Sequence, residues 1–210
     1  MPNNLATLRG KLATALRDTT NVVWASAELD DLITWAVADL YPQFARGLVP
    51  SATTVTLVSG TLTYNLPAGV LEVSGVDWID TGSTYLGPLG PQSWWIEGDA
   101  ENSTGVLRVA PVYPTTGGTL RLHGYGRFDT ATNLIPDRAI RAVLASARAE
   151  AYRRLAGDRV KFEQWLARRQ QQNVTVNELT IMVNEADGEY LRAMSRLRTF
   201  RRSRPGRTSA

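Results

Sequence analysis

The 210-residue sequence contains no cysteine and only one histidine, His123. The absence of cysteine excludes disulfide bonds and thiolate metal sites and gives no sign of an oxidising compartment. Because no second histidine or cysteine could complete a zinc site, we interpret His123 as a polar residue on the surface of a strand. We predict no metal and no cofactor.

Long apolar runs are also missing. No segment approaches the 18 apolar residues that a membrane-spanning helix requires, so we predict no membrane span. The first 18 residues carry charges every few positions and contain no apolar stretch of signal-peptide length. We therefore expect synthesis in the cytoplasm and no membrane partner.

The common catalytic motifs are absent. The sequence has no Gly-x-Ser-x-Gly nucleophile elbow, no phosphate-binding Walker pattern and no dinucleotide-binding glycine motif. Asp99 and Glu101 lie two residues apart in a loop and could serve glycoside hydrolysis or metal binding, but no companion acid or calcium-loop pattern accompanies them. We predict that the protein is not an enzyme.

Lysine is scarce, and charge is distributed unevenly. Of the 23 basic residues, 21 are arginine. Arginine is the better residue for planar contacts with phosphate or carboxylate. A coding bias toward GC-rich codons would equally produce this excess of arginine over lysine. Residues 1–134 carry 7 basic and 12 acidic side chains (−5), and residues 135–210 carry 16 basic and 8 acidic ones (+8). This polarity suits nucleic acid, an acidic protein surface or a neighbouring copy of the chain as a partner.

Apolar residues follow a helical period at both ends of the chain. Leucines spaced three and four apart predict a helix over 4–18, capped by Asn3 or Asn4, and Ser26 is the expected N-cap of a second helix. From Pro136 the period returns and predicts three more helices, one of them opened by Asp158 and the last capped by Asn177. The apolar positions of the last helix predict a seam for another helix: Leu179, Val183, Ala186, Tyr190, Ala193, Leu197 and Phe200.

Between these regions the period is 2, which is typical of strands. Six or seven short strands are predicted, with a hairpin turn at Ser59-Gly60 and a bulge at Gly75. Tyr64 and Leu66 should share an inward face. The expected strand regions are 55–57, 62–66, 71–78, 94–97, 106–110 and 119–124.

The predicted fold is α+β: a discontinuous bundle of N- and C-terminal helices with an inserted small antiparallel β-barrel or sandwich module. We predict an N-terminal helical part at 1–50, the β module at 51–130, a C-terminal helical part at 131–200 that packs with the first, and a flexible basic tail at 201–210.

Trp94 and Trp95 form the aromatic pair most indicative of an external contact. Adjacent strand residues point to opposite faces, so at most one of the two can enter the core of the module. Indole rings are frequent at the energetic centres of interfaces. For the other four tryptophans, packing in a core or between subunits is the simpler interpretation.

The C-terminal arginines are the second candidate interface. Residues 190–210 contain seven arginines and no acid. A solvated helix end, docking into an acidic groove of a protein and DNA binding all remain open, and no recognisable DNA- or RNA-binding module is present. The candidate residues are Arg192, Arg196, Arg198, Arg201, Arg202 and Arg204.

The phrase "WASAEL" at Trp24–Leu29, the pair Tyr41-Pro42 at a helix end and the phrase "GTLTYNLP" at residues 60–67 follow one another along the chain. Phrases in this order resemble those of the head-to-tail adaptor (connector, or head-completion) proteins of tailed bacteriophages. In that family the first phrase is Trp-Ser-x-x-Glu-Leu, here with one residue inserted between Trp and Ser, and the helix ends in a Tyr-Pro-like segment. The β module of the family opens with Gly-x-x-x-Tyr-x-Leu-Pro, as residues 60–67 do. The strands "VLRVAP" and "TLRLHGYG" and an Ile-Pro phrase that opens an alanine-rich helix follow in the same order.

The resemblance covers about residues 20–200 and implies a virion structural protein at the head–tail junction, synthesised in the host cytoplasm. Family members form a ring, usually of twelve copies, beneath the portal, and DNA passes through its central hole. The implied partners are further copies of the chain, the portal protein, tail or stopper proteins and the passing DNA. The arginines would then contact the portal or the DNA channel, and Trp94 and Trp95 the tail or a neighbouring copy.

Three alternatives stay open. The chain could be a tail-completion or minor tail protein, which its sequence separates poorly from an adaptor. It could be a DNA-binding phage protein that uses the C-terminal arginine run. It could also be a virion-associated wall hydrolase that uses Asp99 or Glu101.

Overall fold

Helices come first and last in this chain, and antiparallel sheets lie between them in sequence. A computed structural model describes residues 3–41, 43–80, 82–98, 105–111, 118–128, 135–169 and 176–197. The predicted α+β class is confirmed. The chain divides into two compact units: a helical unit formed by Met1–Phe44 with Phe128–Phe200, and a β unit that holds Ala45–Arg127.

The helical unit joins helices that are far apart in sequence around one apolar core. Leu12 and Leu32, from the N-terminal helices, belong to the same buried cluster as Val143 and Leu179 from the C-terminal ones. Small buried alanines of the third helix allow its neighbours to pack close to it. The described helices are α1 (Leu5–Ala15), α2 (Ser26–Ala38), α3 (Asp137–Gly157), α4 (Arg159–Arg169) and α5 (Val176–Arg196).

Asparagine side chains fix the start of the chain. The Asn4 Oδ1 atom accepts a hydrogen bond from the Thr7 N–H at 3.0 Å, which confirms the predicted cap of α1. The buried Asn3 donates from Nδ2 to the Ile135 carbonyl at 2.9 Å, and the Ile135 N–H donates to the Asn3 carbonyl at 3.2 Å. These bonds tie the N-terminus to the residues just before α3.

Two predicted helix caps are wrong by one or two residues. Ser26 is the first residue of α2, and the cap residue is Ala25, whose N–H donates to Glu28 Oε2 at 3.0 Å. The side-chain hydrogen bond at the start of α2 is therefore the one from the Ala25 N–H to the Glu28 carboxylate, and not one accepted by the Ser26 hydroxyl. Asn177 lies inside α5, which begins at Val176. The predicted cap at Asp158 is confirmed, because its carboxylate accepts the Lys161 N–H at 3.1 Å.

The β unit contains two antiparallel sheets whose side chains share one core. One sheet has the order β1-β8-β4-β5, with β2 also paired to β8, and the other has the order β3-β7-β6. The strands are β1 (Arg46–Gly47), β2 (Thr54–Thr56), β3 (Thr63–Asn65), β4 (Val70–Ile79), β5 (Tyr85–Pro88), β6 (Trp94–Glu97), β7 (Val106–Val109) and β8 (Thr119–Gly126). The short strands β1 and β5 were not predicted.

The predicted hairpin at Ser59-Gly60 is wrong. The strands on either side of this turn belong to different sheets, because β2 pairs with β8 and β3 pairs with β7. The Tyr64 hydroxyl instead holds the turn, donating to the Thr61 carbonyl at 2.7 Å and accepting the Val58 N–H at 3.2 Å. Tyr64 is buried and Leu66 packs against the same core, so the predicted inward face is confirmed.

The predicted bulge at Gly75 is confirmed. The register of β4 against β8 shifts between Val73 and Gly75, and again between Val70 and Glu72. A bulge bends the strand and increases its local twist, which helps a short sheet curl over a small core.

Candidate interface surfaces

α5 lies against α3 through the apolar seam that its three-and-four spacing predicts. Val183 and Tyr190 are half-buried at this seam, and Phe200 lies outside the described residues. The fully buried positions of the predicted seam are Leu179, Ala186, Ala193 and Leu197.

Ion pairs reinforce this helix pair. Glu189 accepts hydrogen bonds from Arg148 at 2.5 Å and from Arg141 at 3.0 Å, and Asp187 pairs with Arg153 at 2.6 Å. Burial raises the pKa of Glu189, but the two guanidinium groups outweigh burial and hold the pKa below the ordinary value of 4.5. Three arginines of α3 are thus engaged within the unit. The sequence signal that could have shown this is the seven-residue spacing of Arg141 and Arg148, which puts both on one helix face.

Arg192 and Arg196 differ from the arginines of α3. They lie four residues apart on the exposed side of α5, and neither forms an ion pair with any part of the chain that the structure describes. The other four arginines of the predicted interface, Arg198, Arg201, Arg202 and Arg204, lie outside the described residues.

A polar contact joins the end of α2 to α5. The Tyr190 hydroxyl donates to the backbone carbonyl of Asp39 at 3.3 Å, and the Asp39 carboxylate lies 3.5 Å from the Ser146 hydroxyl of α3. Burial, followed by the interaction with Asp39, raises the pKa of Tyr190. The phenol therefore stays protonated and remains a donor, so three helices are held together at this point.

Trp94 and Trp95 lie on β6, an edge strand of the three-stranded sheet. Trp94 packs against the core of the β unit, whereas Trp95 is 44% exposed. The predicted division of the two side chains between an inner and an outer face is confirmed. The outward aromatic of this pair is Trp95.

Glu97 orients the exposed indole. Trp95 Nε1 donates to Glu97 Oε1 at 3.2 Å, and Arg108 Nε donates to Glu97 Oε2 at 2.6 Å. Arg108 also lies directly opposite Trp95 in the β6–β7 ladder. A side chain held in place before binding loses little conformational entropy on binding, so this arrangement suits a contact with another protein.

A surface groove of about 480 Å³ lies between α1, α3 and α5. Its lining combines apolar side chains such as Ile140 and Leu144 with Asp137 and the Arg141–Glu189–Arg148 cluster. Asp137 accepts a hydrogen bond from Asn3, and Glu189 is held by its two arginines. Both acids are therefore engaged, and the groove has no nucleophile paired with a base.

Among the described residues, no group of three or more histidine, aspartate or glutamate side chains is placed to hold a metal ion. Asp99 and Glu101 lie outside these residues. His123 contacts one carboxylate, with Nε2 2.7 Å from Asp77 Oδ2. Within the residues that the structure describes, no helix is long and apolar enough to cross a bilayer.

The family model described as SU10 adaptor protein matches residues 3–207 of the chain. No curated protein matches the sequence. Two solved structures that match are chains from the necks of GTA particles. One, from an empty particle computed with C6 symmetry, is 17% identical, with 68% of this chain and 76% of the other covered and a TM-score of 0.32. The other, from a native particle computed with C12 symmetry, is 17% identical, with 96% of each chain covered and a TM-score of 0.31.

Proposed function

The chain belongs to the SU10 adaptor protein family, and on that premise we propose that it is a structural head–tail connector of a tailed-phage particle. The observation that carries the proposal is the length of the match, which runs from residue 3 to residue 207 and so includes both compact units. A connector needs binding surfaces rather than a catalytic centre, and binding surfaces are what the described residues offer.

The finer proposal concerns the assembly. Copies of the chain form a ring, of twelve in the arrangement that the resemblance implies, beneath the portal at the head–tail junction, with DNA passing through the centre. A ring requires a heterologous contact between neighbours that closes on itself. The same resemblance gives the protein two further kinds of partner, the portal on one side and tail or stopper proteins on the other.

We assign the portal or DNA-channel contact to the C-terminal arginines, of which Arg192 and Arg196 are described. Three arginines of α3 are engaged by Glu189 and Asp187, whereas Arg192 and Arg196 have no carboxylate partner within the described part of the chain. A guanidinium group can bind carboxylate or phosphate through two parallel hydrogen bonds, so both an acidic protein groove and DNA fit.

We assign the contact with the tail or a neighbouring copy to Trp95. Its indole is exposed and oriented by Glu97, while Trp94, on the other face of β6, contributes by packing against the core of the β unit. Aromatic side chains that are fixed in orientation and surrounded by polar groups are frequent energetic centres of protein interfaces.

The test is tail joining in particles made without the protein. We expect DNA-filled heads that lack tails, and we expect the purified protein to restore joining when it is added. Normal tail attachment in its absence would refute the connector role. Binding of the purified protein to isolated tails but not to heads would favour the tail-completion alternative.

Variants of the two surfaces separate their roles. Arg192→Glu combined with Arg196→Glu should abolish binding to portal-bearing heads, while Arg159→Glu, at an exposed arginine of α4, should not. Trp95→Ala should leave head binding intact and reduce tail joining, while Tyr85→Ala, at an exposed aromatic of β5, should reduce neither. If the arginine variant binds heads normally but loses salt-dependent DNA binding, the arginines contact DNA instead.

A further inference from the structure

The exposed side of α5 carries large apolar residues that no described part of the chain covers. Ile181 is 56% exposed and Leu191 is 66% exposed. At about 3.6 residues per turn, these two residues share a stripe with Asn184, Gly188 and Ser195, on the side of α5 opposite its buried seam. This stripe is called the outer face of α5.

Gly188 indicates that another backbone approaches this face. Glycine is less favourable than alanine in the interior of a helix, so its presence there needs a reason. Packing within the chain gives none, because a Cβ atom at Gly188 would meet nothing within 4 Å. A glycine on an outward helix face allows a second helix to pack closely against it.

Charged residues along one flank of the outer face show which helix fits. Glu178 and Glu185 lie on this flank in the N-terminal half of α5, and Arg192 and Arg196 lie on it in the C-terminal half. Glu185, Arg192 and Arg196 form no ion pair with other described residues. When two identical helices pack antiparallel across a two-fold axis, the same flank of each meets. The acidic start of one flank, at Glu178, then faces the basic end of the other, and Glu185 lies near the middle of the flank.

We propose that two copies of this chain pair through the outer faces of α5. The two helices run antiparallel, and the two-fold axis that relates them passes between them at the height of Ala186 along the helix. This register places Ile181 of each copy opposite Leu191 of the other, so that the exposed apolar residues cover one another. It also places Glu178 at a height between Arg192 and Arg196 of the second copy. A parallel pair would instead bring this flank of one helix against the opposite flank of the other, where Asp187 is already paired with Arg153.

The dimer itself does not depend on the proposed function, but one consequence does. A two-fold contact is isologous, whereas a ring is built from heterologous contacts. The α5 pair therefore belongs to the free protein and covers Arg192 and Arg196 until the protein docks. Docking on the portal must open this pair.

The oligomeric state of the full chain tests the pairing. Sedimentation equilibrium over a concentration series should show a monomer–dimer equilibrium. Ile181→Asp and Leu191→Asp should each weaken dimerisation by about tenfold or more. Val160→Asp, at a 65% exposed residue of α4, is the matched control and should not weaken it. Glu178→Arg and Arg196→Glu should each weaken the dimer, and the two together should restore it. A chain that stays monomeric at every concentration would overturn the proposal.

The orientation can be tested because the chain has no cysteine of its own. Asn184→Cys lies close to the proposed axis, with its two copies offset by only about 6 Å along the helix, and a short bismaleimide should cross-link it to itself. Ser195→Cys lies on the same face, but its two copies would be about 27 Å apart along the helix and should not react. Equal cross-linking at both positions would show a parallel pair and refute the proposal. Each of these variants is also tested for tail joining. Dimerisation and tail joining are measured separately, so failure of the dimer can be told apart from failure of the connector role.

Discussion

At the scale of single residues, Gly124 is a position of the β unit that does not tolerate a side chain. Its φ of +150° is a conformation that residues with a Cβ rarely adopt, and a Cβ there would lie 1.9 Å from the carbonyl oxygen of Glu72. The obstacle is backbone of the paired strand β4, so no side-chain rotation can relieve it. We expect Gly124→Ala to lower the free energy of unfolding by about 3 kcal/mol or more.

The matched control is Gly47→Ala. Gly47 also lies in a strand paired with β8, but a Cβ there meets nothing within 4 Å. Urea unfolding followed by tryptophan fluorescence measures both variants, and Gly47→Ala should stay close to the parent. Equal stability of the two variants would mean that β4 and β8 separate more easily than the close approach at Gly124 implies.

At the scale of elements, the pairing of α3 with α5 should depend on pH through Glu189. Burial raises the pKa of Glu189, but Arg148 and Arg141 outweigh it, so the folded-state pKa is below 4.5. The stabilisation is then complete above about pH 4.5 and is lost as the pH falls through the folded-state pKa. We expect Glu189→Gln to cost roughly 1–2 kcal/mol at pH 7. The parent and the variant should converge once the pH has fallen through the folded-state pKa, since a protonated glutamate resembles glutamine.

Glu163→Gln controls for the loss of a surface carboxylate. Its partner Arg159 is 90% exposed and Glu163 is 62% exposed, so their ion pair should contribute between 0 and about 1 kcal/mol at any pH. Thermal unfolding monitored by circular dichroism over a pH series compares the three proteins. A destabilisation of Glu189→Gln that stays constant from pH 7 to below the folded-state pKa would contradict the role given to its charge.

The helices could be predicted from sequence more fully than the sheets, because helix hydrogen bonds are local. The spacing of Leu179, Ala186 and Ala193 is enough to define the seam of α5. The hairpin predicted at Ser59-Gly60 gave β2 the wrong partner, because Val55 pairs with the distant Leu120 and not with the next strand in sequence. β5 gave no alternating pattern, since Tyr85 and Leu86 are both exposed at the edge of its sheet.

The same distinction applies to the candidate interfaces. The period of a strand was enough to predict that Trp94 and Trp95 face opposite sides. The bracing of Trp95 by Glu97 and Arg108 depends on the register between β6 and β7, which no local pattern encodes. The arginine count likewise predicts that residues 135–210 are basic. It does not show that Glu189 binds two of these arginines, Arg141 and Arg148 of α3.

At the scale of the whole molecule, the helical unit closes without the β unit. Phe44 and Phe128, which flank the inserted segment in sequence, stack with ring centroids 5.2 Å apart, and the Arg138 guanidinium lies 4.9 Å from the Phe44 ring centroid. The two ends of the insertion therefore meet within the helical unit. None of the described residues between 45 and 127 belongs to the buried helical core, and the described core of the β unit contains no residue from the helices.

This separation leads us to expect that residues 45–127 can be replaced by a short Gly-Ser linker without unfolding the helices. The shortened chain should show a helical circular dichroism spectrum and a cooperative thermal transition. Replacing Phe44 and Phe128 by alanine in the shortened chain should lower its free energy of unfolding by about 3 kcal/mol, because the aromatic stack on the core is lost. A shortened chain that melts without cooperativity would mean that the two units stabilise each other.

The shortened chain also separates the two proposed surfaces. It keeps Arg192, Arg196 and the outer face of α5 but lacks Trp95, so it should dimerise and bind portal-bearing heads yet fail to join tails. In a mixture with the full chain it should inhibit tail joining in proportion to its share, since it occupies head sites without completing the junction. Inhibition that persists with Arg192→Glu and Arg196→Glu in the shortened chain would show that another part of the helical unit makes the head contact.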